Sequence, residues 1–220
     1  MNDIINKISS KLTEIITKDN DELNDDRKEV IKYGLFAFFQ MALSIILVIV
    51  FGLIFNVLIE ALIISFTISI LRKSSGGAHA SSSTNCLIIG TLISIIPSML
   101  IKHININMLY VISIGLIVYL FSYFLINKLA PVDSPGKPIR SDKKISRLKK
   151  SSITTLNIFY LIIIIEILVY YFITERNIIN YILSLYIGLI WQVITLTKFG
   201  HKLICVMDSF FYKLQFHKEV

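Results

Sequence analysis

Apolar positions in this chain come in long blocks, and the spacing between charges marks the blocks off. Residues 34–71 hold one charge, Glu60; residues 74–101 and 104–127 hold none; residues 151–174 hold only Glu166; residues 177–197 hold none. A helix needs about 20 predominantly apolar residues to cross a bilayer, so each block is long enough to span. The first is too long for one span: 38 residues would make a helix of about 57 Å against a hydrocarbon core of about 30 Å. Gly52, Asn56 and Glu60 interrupt it. The pattern therefore predicts two helices there, 33–52 and 56–71, joined by a tight turn. The second block opens on small polar residues, which leaves 86–101 as its span. With 104–127, 151–174 and 177–197 this makes about six transmembrane helices in an all-α, polytopic membrane protein.

Both ends are amphipathic. Ile4, Ile5, Ile8, Leu12, Ile15 and Ile16 fall on one helical face, as do Phe199, Leu203, Met207, Phe210, Phe211 and Leu214. Such helices lie in a membrane interface or dock an amphipathic partner. The chain thus divides into an amphipathic and acidic segment 1–32, a membrane domain 33–197, and an amphipathic segment 198–220.

Composition agrees with this class. Of 220 residues 55% are hydrophobic and 17% charged, with a mean hydropathy of +0.71. Disordered chains are poorer in apolar residues and richer in charge, and two cysteines cannot staple a disulfide scaffold of this size. The net charge of +7 is explained by topology. With six spans, 20 of the 22 Lys and Arg residues fall on one face, leaving Lys102 and Arg176 on the other. Lys and Arg accumulate on the cytoplasmic side, so both termini, the 72–85 loop and the 128–152 loop are expected there. Nucleic-acid binding is not needed to account for the charge. No cleavable signal peptide is expected, because the first apolar run begins near residue 34.

Two polar stretches stand out. Residues 72–86 are small, polar and glycine-containing, with one histidine and one cysteine, His79 and Cys86. A cysteine thiolate is a strong nucleophile near neutral pH, and histidine is the usual base. On one straight helix, residues seven apart lie about 10.5 Å apart along the axis, so the chain must fold back if the two act together. Gly76-Gly77 and the run of residues 81–85 permit this. Thr84 or Asn85 is the expected N-cap of the following span, which places Cys86 in a first helical turn. There the helix dipole favours an anionic sulfur and backbone N–H groups can face a developing oxyanion. The opposing reading is an inert buried cysteine and an interfacial histidine beside a connecting turn. The second stretch, residues 130–139, holds three of the four prolines and forms a stiff arm. Lys143, Lys144, Lys149 and Lys150 follow it, as a positive-inside signal that also attracts anionic lipid, or as a landing site for an acidic peptide. Asp133 is a candidate to orient His79, or to cap the arm. Glu60 and Glu166 lie within spans, where ionisable groups are costly; Glu166 is expected to face another helix or a second copy of the chain, so a homodimer is among the expected assemblies.

Together these stretches resemble the accessory gene regulator B (AgrB) family of membrane cysteine endopeptidases. The resemblance rests on Arg72, Gly76-Gly77-Ala78-His79-Ala80 and Cys86, and on Ala130-Pro131-Val132-Asp133 with Lys137-Pro138-Ile139. It extends over nearly the whole chain. It implies that Cys86 is the nucleophile and His79 its base, with Arg72 and Gly77 shaping the turn or meeting substrate charge. It further implies a bacterial cell-membrane enzyme of peptide quorum sensing that removes the acidic tail of an AgrD-like propeptide and promotes thiolactone closure, without cofactor or metal. A small peptide transporter or export accessory without proteolytic chemistry is the alternative.

Overall fold

The structure is a computed structural model that describes residues 2–18, 24–133 and 141–216. Its helices in chain order are α1 (Asn2–Thr17), α2 (Asp25–Ile54), α3 (Leu58–Ser75), α4 (Ser83–Ile101), α5 (Met108–Leu129), α6 (Asp142–Ile173), α7 (Arg176–Ile194) and α8 (Lys198–Phe216). Extended pairing among the described residues is confined to a single parallel bridge between Gly76 and Val132. The chain is all-helical, as the blocks predict.

α2, α4, α5, α6 and α7 are long and apolar enough to cross a membrane. α3 has 18 residues and carries Glu60 in its first turn and Arg72 and Lys73 in its last, so it is less apolar than the expected sixth span. It is nonetheless central, packing on α2, α4, α6 and α7 and burying Ala61, Ile64, Thr67 and Leu71. The predicted break in the first block is present: α2 ends at Ile54, and Asn56 adopts a positive φ of 57°, a conformation asparagine tolerates better than most residues.

The core lies where α3, α5, α6 and α7 meet, with Ile64, Val111, Ile126, Leu156, Ile182 and Leu189 fully enclosed. The outward faces are also apolar: Leu109, Ile117, Leu161 and Phe172 are exposed, the last by 88%. A surface of this kind suits lipid, where exposed side chains need not be polar. Several hydroxyl groups on α4 satisfy themselves locally. Thr91, Ser94 and Ser98 each donate to the carbonyl four residues earlier, at 2.9, 2.9 and 2.7 Å.

A small residue sets the approach of α3 and α7. A Cβ on Gly188 of α7 would lie 2.7 Å from the Cβ of Thr67 on α3, so only glycine lets the two backbones approach this closely. The end of α7 is thereby brought against the end of α3. Connections alternate between the two ends of the bundle. At one end Lys102 Nζ donates to the Asn56 carbonyl at 2.8 Å and Arg176 to the Ile104 carbonyl at 3.4 Å. At the other end the segment after α3, the arm after α5 and the end of α7 converge. α5 and α6 run further than the 128–152 loop of the sequence reading: α5 continues to Leu129 and α6 starts at Asp142. The basic residues thus stand on the first turns of a 32-residue helix.

Candidate active site

α3 ends at Ser75, and the chain turns back through two glycines of positive φ, 70° at Gly76 and 130° at Gly77. Only glycine enters these conformations at little cost. Four elements hold the turn. Val132, after α5, donates its N–H to the Ser75 carbonyl at 2.9 Å, which joins the proline-rich arm to the glycine turn. The Gln192 carboxamide of α7 donates to Ser75 Oγ at 3.0 Å and to the Gly76 carbonyl at 2.7 Å. The Ala78 N–H donates to the Thr195 carbonyl at 3.0 Å, and the guanidinium of Arg72 donates to the Ala78 carbonyl.

The loop then enters α4. Its N-cap is Ser82, whose hydroxyl accepts from the Asn85 N–H at 3.1 Å. This differs from the expected cap at Thr84 or Asn85, because the serine run offers a hydroxyl acceptor up to three residues earlier. Cys86 is consequently the fourth residue of the helix, still within the first turn, and its N–H donates to the Ser82 carbonyl at 3.0 Å. The N–H groups of Asn85 and Cys86 are thus committed within the helix.

Cys86 is half-buried and lines two spaces. One is an open cleft of about 410 Å³ walled by Tyr33 and Gln40 of α2, Ser69, Ser82, His79 and Cys86. The other is a smaller cavity of about 140 Å³ reaching inward past Arg72, Ala78, Ser94, Trp191 and Ile204. Gln40 donates to the Ser83 carbonyl at 3.0 Å and ties α2 to the cleft. Arg72 interacts electrostatically with Cys86, and its Nε is buried without a hydrogen-bond partner. His79 opens onto the cleft and is exposed at its rim. The surrounding protein still removes part of its hydration, and this burial, followed by the Arg72 charge, holds its pKa below the ordinary histidine value. Both effects disfavour the charged imidazolium and keep the ring a free base.

The fold therefore gathers Arg72, Gly77, His79 and Cys86 in one place. Asp133 follows Val132 and is exposed. Lys143, Lys144, Lys149 and Lys150 lie along the first turns of α6 and line neither space. Lys137, Pro138 and Ile139 lie outside the described residues. Gln192, Thr195 and Asp208 were missed. Asp208, on α8, accepts from the Ser81 N–H at 3.1 Å and from the Asn85 carboxamide at 2.7 Å. The signals existed: Gln192 is a carboxamide in a charge-free span, and Asp208 is the sole acid between residues 198 and 216.

Comparison with known proteins shows the family. The accessory gene regulator B family matches residues 5–196. An AgrB-like protein of Clostridium perfringens (strain SM101 / Type A) is 43% identical over 210 residues, covering 94% of this chain and 96% of the relative. A second AgrB-like protein, from Clostridium perfringens (strain 13 / Type A), is 43% identical over 216 residues, covering 96% and 100%. No solved structure matches the chain. The chain belongs to the accessory gene regulator B family, membrane proteins with a role in processing the propeptides of Agr quorum sensing.

Proposed function

We propose that this protein is a membrane-embedded cysteine endopeptidase that removes the C-terminal tail of an AgrD-like propeptide. The observation that carries the reading is that His79 and Cys86 line one cleft at the end of the bundle, within reach of the Arg72 charge. His79 takes the thiol proton of Cys86, and the sulfur attacks the scissile carbonyl. The C–N bond breaks, and His79 returns the proton to the leaving amine of the tail. The product is a thioester on Cys86. A thiol of the bound peptide then attacks that thioester, forming the thiolactone and returning Cys86 as a thiol. One thioester replaces another, so the second step is nearly balanced in free energy, whereas direct closure from a peptide bond is uphill. Arg72, with an unpartnered buried Nε, supports the developing oxyanion in place of the committed N–H groups.

In this reading the site end and both termini face the cytoplasm, because the basic residues concentrate there. The lysines on the first turns of α6 attract the acidic tail, and the amphipathic ends rest on lipid. The direct test is to stop the reaction with acid after mixing enzyme and propeptide, and to search for a peptide joined to Cys86 by a hydroxylamine-sensitive bond. If no such adduct forms while cleavage proceeds, the acyl-enzyme is refuted.

A pH dependence follows. The reaction needs neutral His79, and its pKa is lowered, so kcat/KM should hold as pH falls through 6.5 and decline only below that. Arg72→Gln removes the second cause and leaves burial in place. It is expected to move the acid limb upward, part of the way to 6.5, as read in a profile between about pH 5 and 8. A limb that stays in place would remove Arg72 from the environment of His79.

A further inference from the structure

We propose that Asp208, on the C-terminal amphipathic helix, is a positioning residue that clamps the loop carrying His79 to the helical turn carrying Cys86. The proposal rests on the proteolytic reading above and adds a part to it, since α8 lies beyond the matched residues 5–196.

The clamp is bidentate. One carboxylate oxygen of Asp208 accepts from the backbone N–H of Ser81 at 3.1 Å, and the other from Asn85 Nδ2 at 2.7 Å; the Asp208 backbone carbonyl accepts from the same carboxamide at 3.4 Å. Ser81 lies two residues after His79, and Asn85 immediately precedes Cys86. A single side chain thus fixes both segments whose separation sets the distance between base and nucleophile. These bonds hold the carboxyl below the usual range although burial alone would raise it; the clamp is anionic at neutral pH.

The surrounding helix is built for the task. α8 starts after a short turn in which Thr197 Oγ1 accepts from the Gly200 N–H at 3.1 Å, which redirects the chain across the site. Ile204 is buried and lines the inner cavity with Cys86. Four residues later on the same face stands Asp208. Phe199, Val206 and Phe210 are exposed. A face of α8 distinct from the apolar stripe read in the sequence thus seats an apolar anchor, Ile204, and a carboxylate clamp, Asp208, on the active site.

The chemistry of the clamp provides its own test. In Asp208→Ala both acceptors are lost. In D208N one carboxamide oxygen serves one donor, and the –NH2 group opposes the other donor. Exchanging the pair, D208N with N85D, restores both side-chain bonds and gives up only the longer donation to the residue 208 carbonyl: the new carboxamide accepts from Ser81 and donates to the new carboxylate. The variants are made in full-length enzyme with Cys205, which is exposed, changed to serine, and are reconstituted in liposomes. Cleavage of a co-purified AgrD-like propeptide gives kcat and KM, and hydrogen exchange reports on the Ser81 amide. Charge-assisted hydrogen bonds of this kind correspond to rate losses of about 10–100-fold. D208A and D208N are expected to lose that much in kcat, with KM within about twofold and faster exchange at Ser81. The exchanged pair is expected to recover to within about fivefold. A D208A enzyme within twofold of its parent, or an exchanged pair no better than D208N, overturns the clamp. If the parent itself cleaves nothing, the proteolytic reading falls instead, and exchange at Ser81 alone decides whether Asp208 holds the loop.

Discussion

Cys86→Ala is expected to reduce tail removal to background, a loss of about 10⁴-fold or more, while the protein still inserts and accumulates. Cys86 carries the only thiol among the described residues lining the cleft, and the serine hydroxyls beside it form esters rather than the thioester proposed. His79→Ala should cost about 10²–10⁴-fold, the range of general acid–base catalysis. The double variant should be no worse than Cys86→Ala alone, because residues that act as one unit do not add. The fold should be nearly untouched. Cys86 is half-buried beside existing space, and losing one atom there leaves no new enclosed void. Immunoblotting of membranes and thermal unfolding in detergent supply the controls. Processing that survives Cys86→Ala would falsify the cysteine mechanism, whereas peptide transport that survives it, with no processing by the parent, would favour the transport role.

The second large effect concerns the glycine turn. At Gly76, φ is 70° and ψ −149°, a region essentially reserved for glycine and costing other residues about 1–3 kcal/mol. A Cβ there would also overlap the Val132 carbonyl oxygen, so the arm would have to leave and the Val132-to-Ser75 hydrogen bond would break. Gly76→Ala is expected to lower the unfolding midpoint by roughly 4–8 °C for a cost of about 2 kcal/mol, and to cut processing by at least about tenfold. Gly77→Ala meets a different neighbour: its Cβ would lie 2.5 Å from Thr195 Oγ1. Adding Thr195→Ala should therefore recover part of the Gly77→Ala loss, and none of the Gly76→Ala loss. Equal rescue of both would mean that general loosening, not these two contacts, is responsible.

The two signature stretches show how sequence and structure divide the work. Residues 72–86 were recognisable because a small polar segment between apolar blocks is unusual, and because glycine, histidine and cysteine have distinct chemistry. Residues 130–133 were recognisable by their proline. Their adjacency was not, since 54 residues separate Gly76 from residue 130 and no local propensity encodes that contact. Gln192 and Asp208 were hidden for the same reason. Each is an ordinary residue in its own helix and reaches the candidate site only through a partner more than a hundred positions away. The helix ends shifted for a local reason: α4 caps on Ser82 because three consecutive serines compete, and α6 extends to Asp142 because basic residues are good helix formers.

By itself the sequence determined the all-helical membrane class, the break near Asn56, and the small polar segment between apolar blocks that holds the candidate pair His79 and Cys86. These follow from composition and short-range periodicity, which act over a few residues. Only the tertiary structure decided that α3 lies at the centre, that the proline arm and Gln192 hold the glycine turn, and that the C-terminal helix folds back onto the loop. Those outcomes depend on close packing between distant helices, such as Gly188 against Thr67, and on hydrogen bonds whose donors and acceptors meet only once the bundle has closed.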